Sequence, residues 1–127
     1  MFKNTKAFSS FSVDDTQKAK DFYGGTLGLD ISEQKEGLGI HLDGGGDVFL
    51  YAKPNHEPAS FTVLNFFVDD IEKAVGELTG KGIVFEQYGG EIETDEKGIH
   101  RGNEGPVIAW FKDPAGNILS VLESKEA

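Results

Sequence analysis

The 127 residues carry 22 acidic against 12 basic side chains, a formal net charge of −10, with 38% hydrophobic residues and no cysteine. That charge repels phosphate backbones and anionic lipid, so neither nucleic acid nor membrane is an expected partner, and a neutral or cationic small ligand is favoured. The missing cysteines exclude disulfides, thiolate metal sites and a cysteine nucleophile. No apolar run approaches the roughly 18 residues of a membrane span and no secretory pattern opens the chain, so a cytoplasmic location is expected.

In chain order, residues 8–13 predict a strand in which alternation puts Ser9, Phe11 and Val13 on one face and Phe8, Ser10 and Ser12 on the other. Asp14 is the expected N-cap of the following helix, with Gln17 completing a capping box, Ala19, Phe22 and Tyr23 at helical spacing, and Gly24 and Gly25 ending it. Three strands are expected next, over 27–32, 37–42 and 48–52, with Gly44, Gly45 and Gly46 turning between the last two. Residues 54–60, with Pro54 and Pro58, read as a linker. A strand then places Leu64, Phe66 and Val68 on one face and Val63, Asn65 and Phe67 on the other. Asp69 is the expected cap of a second helix, with Glu72 at its third position and Ile71, Ala74, Val75 and Leu78 forming one apolar stripe. Gly80 and Gly82 stop that helix. Residues 83–88 read as a strand, and 89–105 as a polar loop or a pair of ragged strand ends. Residues 107–111 form a strand, Asp113, Pro114, Ala115, Gly116 and Asn117 a turn, and 118–122 the last strand.

The stretch Val13, Asp14, Asp15, then Lys18 and Ala19, recurs 55 residues later as Val68, Asp69, Asp70, then Lys73 and Ala74. One supersecondary unit used twice explains this better than two unrelated halves. The expected fold class is α+β: two βαβββ modules in tandem within a single domain, 1–127, forming curved mixed sheets around a shared cleft. Module 1 spans about 6–53 and module 2 about 61–123.

The doubled Val-Asp-Asp motif opening a helix, the Asp113 to Asn117 turn and the final strand together resemble the vicinal oxygen chelate superfamily, which includes glyoxalases, bleomycin-resistance proteins and ring-cleaving dioxygenases. The resemblance implies a fold, a homodimer and a candidate metal site. Metal-dependent members place a histidine five residues before the motif valine and a carboxylate seven residues after the turn aspartate. Here those positions hold Phe8, Val63 and Ser120, and the remaining one falls on Leu50 or Tyr51. Neighbouring Ala7, Ser9, Thr62 and Leu64 are no better. Divalent metals need converging imidazole or carboxylate donors, so neither a metal nor another cofactor is expected.

Other chemistry falls to a few residues. His41, mid-strand, is a candidate acid, base or hydrogen-bonding group. His100, Arg101 and Glu104 would reach a ligand if the 91–104 loop acted as a lid. Neither Gly-rich stretch is a phosphate-binding fingerprint, no Gly-x-Ser-x-Gly elbow exists, and no nucleophilic triad is legible. Phe8, Phe49 or Tyr51, Phe67, Tyr88 and Trp110, with Ser10, His41, Asn65 and Ser120 as polar groups, are the expected ligand-binding surface. The expected function is metal-free binding of a small organic molecule in an aromatic cleft. The alternatives are a glyoxalase-type lyase or isomerase using His41 or the 91–104 loop, or a metal in another position, and a structural dimer with a collapsed cleft.

Overall fold

A computed structural model describes residues 1–44, 46–102 and 105–123. The chain falls into two compact units, Met1–Pro58 and the residues from Ala59 onward.

In the first unit, β1 (Ser9–Val13) leads into α1 (Thr16–Lys20), then β2 (Asp30–Gln34), β3 (Gly37–Leu42) and β4 (Gly46–Ala52). The sheet order is β1-β4-β3-β2, parallel only between β1 and β4. Val13, Leu38, Ile40, Val48 and Leu50 are buried on one face together with Ala19 and Tyr23 of the helical segment. The opposite, open face carries Ser10, Ser12, Ser32, Gln34, Gly37, Gly39, His41, Asp47, Phe49 and Tyr51, because the period of a strand is two.

Two expectations for α1 are corrected. Its N-cap is Asp15, whose carboxylate accepts from the amides of Gln17 and Lys18, not Asp14. Gly24 and Gly25 do not end it; the backbone widens into a π-helical turn, Asp21–Thr26, in which Leu27 N–H reaches Phe22 C=O at 2.9 Å. The wider turn swings Tyr23 fully into the core, against Phe11 and Phe22.

The second unit repeats the plan with β5 (Thr62–Val68), α2 (Ile71–Gly80), β6 (Ile99–Arg101), β7 (Val107–Lys112) and β8 (Ile118–Glu123), in the order β5-β8-β7-β6. Ile71 and Val75 of the predicted stripe are buried, with Ile83, Phe85, Ile99, Ala109, Phe111, Leu119 and Val121. Burying a side chain the size of Phe111 contributes about 1.5–3 kcal/mol. The N-cap is again one residue later than expected: Asp70, not Asp69, accepts from Lys73 N–H. The Glu123 carboxylate on β8 takes the otherwise unpaired Ile71 amide at 2.7 Å, so the last strand also caps the helix.

Residues 83–88 are extended but form no ladder, correcting the strand expected there. β6 pairs with β7 from Val107 to Ala109, and beyond it Glu86 N–H donates to Trp110 C=O at 2.8 Å without a continuing ladder. Phe85 instead sinks onto Phe111, ring centroids 5.4 Å apart. Gly98 permits this: at φ +87° a Cβ there would lie 2.7 Å from the Phe85 Cβ. The 89–105 stretch thus contributes a short edge strand.

The Asp113 to Asn117 turn forms as its residues dictate. Asp113 is buried, its carboxylate accepts from the amides of Ala115 and Asn117 and from the Asn117 side chain, and Gly116 supplies φ +87°.

Candidate functional site

The open face of the first unit is glycine-floored. His41 stands on β3 directly opposite Asp47 on β4 and Asp30 on β2, with Ser32 diagonal to it. His41 Nδ1 lies 3.2 Å from Asp47 Oδ1 and Nε2 2.9 Å from Ser32 Oγ. A carboxylate only accepts, so Nδ1 donates to Asp47, and in the neutral ring Nε2 accepts from the serine hydroxyl. Gln34 Nε2 donates to the same oxygen at 3.4 Å. Gly39 makes the space: a Cβ there would lie 2.7 Å from both Ser32 Oγ and Gln34 Nε2. Phe8, Gln34, Gly39, His41, Asp47, Val48 and Phe49 line a shallow concavity of about 280 Å³. Phe49 stacks on Tyr51 with ring centroids 6.5 Å apart, and Ser10 lies opposite Phe49 on β1. Ser32, His41 and Asp47 therefore stand in one hydrogen-bonded row across three neighbouring strands.

The second unit has a different surface. Phe61, Thr62, Tyr88, Glu91, Ile92, Trp110 and Ile118 line a concavity of about 740 Å³. Tyr88 meets Trp110 edge-on, centroids 5.4 Å apart, and the His100 ring lies tilted to Trp110 at 6.2 Å. Burial, aided by the Glu86 carboxylate and opposed by Lys112, raises the Tyr88 hydroxyl above its ordinary value, so it remains a neutral donor. Phe61, 67% exposed, Glu91 and Ile92 are the residues sequence reasoning missed.

Asn65 and Ser120 stand in register beside Trp110, but they bond to one another, Ser120 Oγ donating to Asn65 Oδ1 at 2.5 Å. Phe67, 73% exposed, lies two residues along the same strand. His100 Nδ1 donates to the Glu93 carbonyl at 2.8 Å, and Arg101 pairs with Glu72 and Asp95. Thr94 bonds to the backbone of Tyr88, and Lys97 pairs with Glu72 at 2.8 Å. The stretch expected to act as a lid is thus tied to α2 and to residues 87–88. Glu104 lies outside the described residues. His56 in the linker hydrogen-bonds Ser12 at 2.7 Å.

The positions where the family resemblance puts metal ligands do not fit a metal. Phe8 and Val63 offer no donor atom, Ser120 spends its hydroxyl on Asn65, and Leu50 is buried on the helix side, leaving only the phenol of Tyr51. Among the described residues no cluster of three or more histidines and carboxylates is placed to hold an ion.

Two mixed sheets of identical strand order, each with one helix-covered and one open face, define a doubled-module α+β protein. The sequence model of the Glyoxalase/Bleomycin resistance protein/Dioxygenase superfamily matches residues 8–121, and the chain belongs to that superfamily. No curated protein sequence matches it significantly. Among solved structures it is similar to a glyoxalase family protein from Bacillus anthracis, 20% identical, with 98% of this chain and 100% of that one covered and a TM-score of 0.72. An antibiotic binding protein from a Streptomyces strain is 24% identical, covering 96% and 98%, with a TM-score of 0.68. A lactoylglutathione lyase from Agrobacterium tumefaciens is 19% identical, covering 96% of each chain, with a TM-score of 0.69. At these identities the likeness is one of fold.

Proposed function

We propose that this protein binds a small, flat, partly apolar organic molecule without a metal at the family's usual positions. The observation that carries the reading is the concavity formed by Phe61, Tyr88, Ile92 and Trp110, whose volume of about 740 Å³ falls within the usual range for small-molecule sites. Aromatic faces supply stacking area at low entropic cost, and Glu91 with the net charge of −10 biases the site toward neutral or cationic ligands. The Streptomyces neighbour that binds an antibiotic supports this reading by analogy of fold alone. The reading extends to a cytoplasmic homodimer.

The protein contains one tryptophan, so the site carries its own reporter. Titration with planar aromatic cations is expected to quench Trp110 emission saturably and to raise the melting temperature, by about 2.7 kcal/mol of added stability at a hundredfold excess over Kd. Tyr88→Ala should weaken the binding at least tenfold, and added Ni or Zn should leave it unchanged. Saturable binding only in the presence of a divalent metal would overturn the metal-free reading.

A further inference from the structure

The geometry points to a second site, on the first unit, where Ser32 is a nucleophile for acyl transfer activated by His41 and oriented through Asp47. This site is independent of the aromatic concavity in the second unit and stands whether or not that surface binds a ligand.

Three observations converge. The distances of 2.9 Å from Ser32 Oγ to His41 Nε2 and 3.2 Å from His41 Nδ1 to Asp47 Oδ1 place base and orienting carboxylate on opposite nitrogens of one ring. All three side chains project from adjacent strands of one sheet, a more rigid support than loops. Gly39 leaves the room that Ser32 and Gln34 occupy, since a Cβ would stand 2.7 Å from each of their polar ends. The shallow concavity beside them is flanked by Phe8 and Phe49, which suits a small ester with an aromatic or apolar group.

The step balances with water as the only co-reactant. Ser32 Oγ forms a bond to the ester carbonyl carbon while its proton passes to His41 Nε2. The tetrahedral oxyanion forms beside the Gln34 amide, which donates to it. Collapse breaks the bond from carbonyl carbon to alkoxy oxygen, and the alcohol leaves with the proton held on His41. Water, deprotonated by His41, then attacks the acyl carbon, releasing the carboxylic acid and restoring the Ser32 hydroxyl. Asp47 is a positioning residue: it accepts from Nδ1 and holds Nε2 toward the serine.

A fluorophosphonate probe tests the assignment, because it phosphonylates an activated serine with loss of fluoride. Peptide mapping by mass spectrometry is expected to find the adduct on Ser32 in the wild-type protein and to find that peptide unmodified in Ser32→Ala. His41→Gln should slow labelling by about 100-fold or more, the scale of a lost general base. Asp47→Asn should slow labelling by about tenfold or more, and Asp47→Glu should restore part of the rate, as expected of a residue that acts by holding the His41 ring. Circular dichroism checks each fold, and the exposed Asp47→Asn variant carries the test if His41→Gln does not fold. No adduct on Ser32, or labelling slowed less than about tenfold by the variant that folds, overturns the proposal.

Discussion

At the scale of single residues, two glycines on β3 show how an absent side chain can serve different ends. A Cβ on Gly37 would stand 2.1 Å from the Leu50 carbonyl oxygen, which belongs to the sheet backbone and cannot give way. A Cβ on Gly39 would crowd the side-chain ends of Ser32 and Gln34, with the His41 ring at an ordinary contact distance of 3.7 Å. Gly37→Ala is therefore expected to lower stability by about 2–3 kcal/mol in urea denaturation, through strain in a packed sheet. Gly39→Ala is expected to cost less than about 1 kcal/mol, because alanine's smaller loss of backbone entropy offsets part of the crowding. It should nonetheless move Ser32 away from His41. Equal losses at the two positions would contradict this division between scaffold and site. The capping aspartates teach a related lesson: in each Asp-Asp pair the second residue caps, which takes Glu72 out of the capping box and frees its carboxylate for other partners.

At the scale of elements, those partners tie the 93–101 stretch to α2. Glu72 accepts from Lys97 and Arg101, and Asp95 accepts from the amides of Lys97 and Ile99. The Lys97 hydrogen bond, followed by that of Arg101, lowers the Glu72 carboxyl below its ordinary value, and the same pair raises Lys97. A carboxyl lowered on folding contributes stability that is present above its unfolded value of 4.5 and is lost as the pH falls through the lower folded value. Glu72→Gln should therefore melt at a lower temperature than wild type at pH 7, and the gap should close on acidification through that window. Added salt should narrow it at neutral pH, since all three side chains are exposed to solvent. Hydrogen exchange at residues 94–99 should quicken in the variant at pH 7. A gap that does not begin to narrow as the pH falls below 4.5 would show that the carboxylate is not the anchor.

At the scale of the whole molecule, the surface combines strong negative charge with isolated large apolar side chains. Phe8, 68% exposed, and Phe67 lie on the open faces of their respective sheets, and Phe61 flanks the concavity of the second unit. Single apolar side chains are ordinary on a protein surface, so the proposed homodimer rests on the family resemblance. It is checked by size-exclusion chromatography with light scattering. The expected mass is twice that of the chain, and Phe67→Ser should shift it toward the monomer. Because two chains of net charge −10 repel, dissociation should be more pronounced at low ionic strength.

The sequence by itself determined the doubled βαβββ plan, since strand alternation, the acidic pair ahead of each helix, the Gly80 stop of α2 and the Asp113 to Asn117 turn are all local signals. It also named Tyr88 and Trp110 as aromatic candidates, and both line the concavity of the second unit. Tertiary structure decided the rest. Residues 83–88 read as a strand by alternation, yet a strand exists only where a ladder forms, and the third strand of the second sheet is instead Ile99–Arg101, paired with Val107 to Ala109. Phe61, Glu91 and Ile92 come from segments whose mutual placement no periodicity encodes. The relay around His41 was partly legible. The Gly44 and Gly46 turn sets Leu42 against Gly46 and so His41 against Asp47, but bringing Ser32 alongside required the register of a second hairpin as well. Side-chain chemistry was written in the sequence; which side chains share a row of the sheet depended on registers that only the folded backbone fixes.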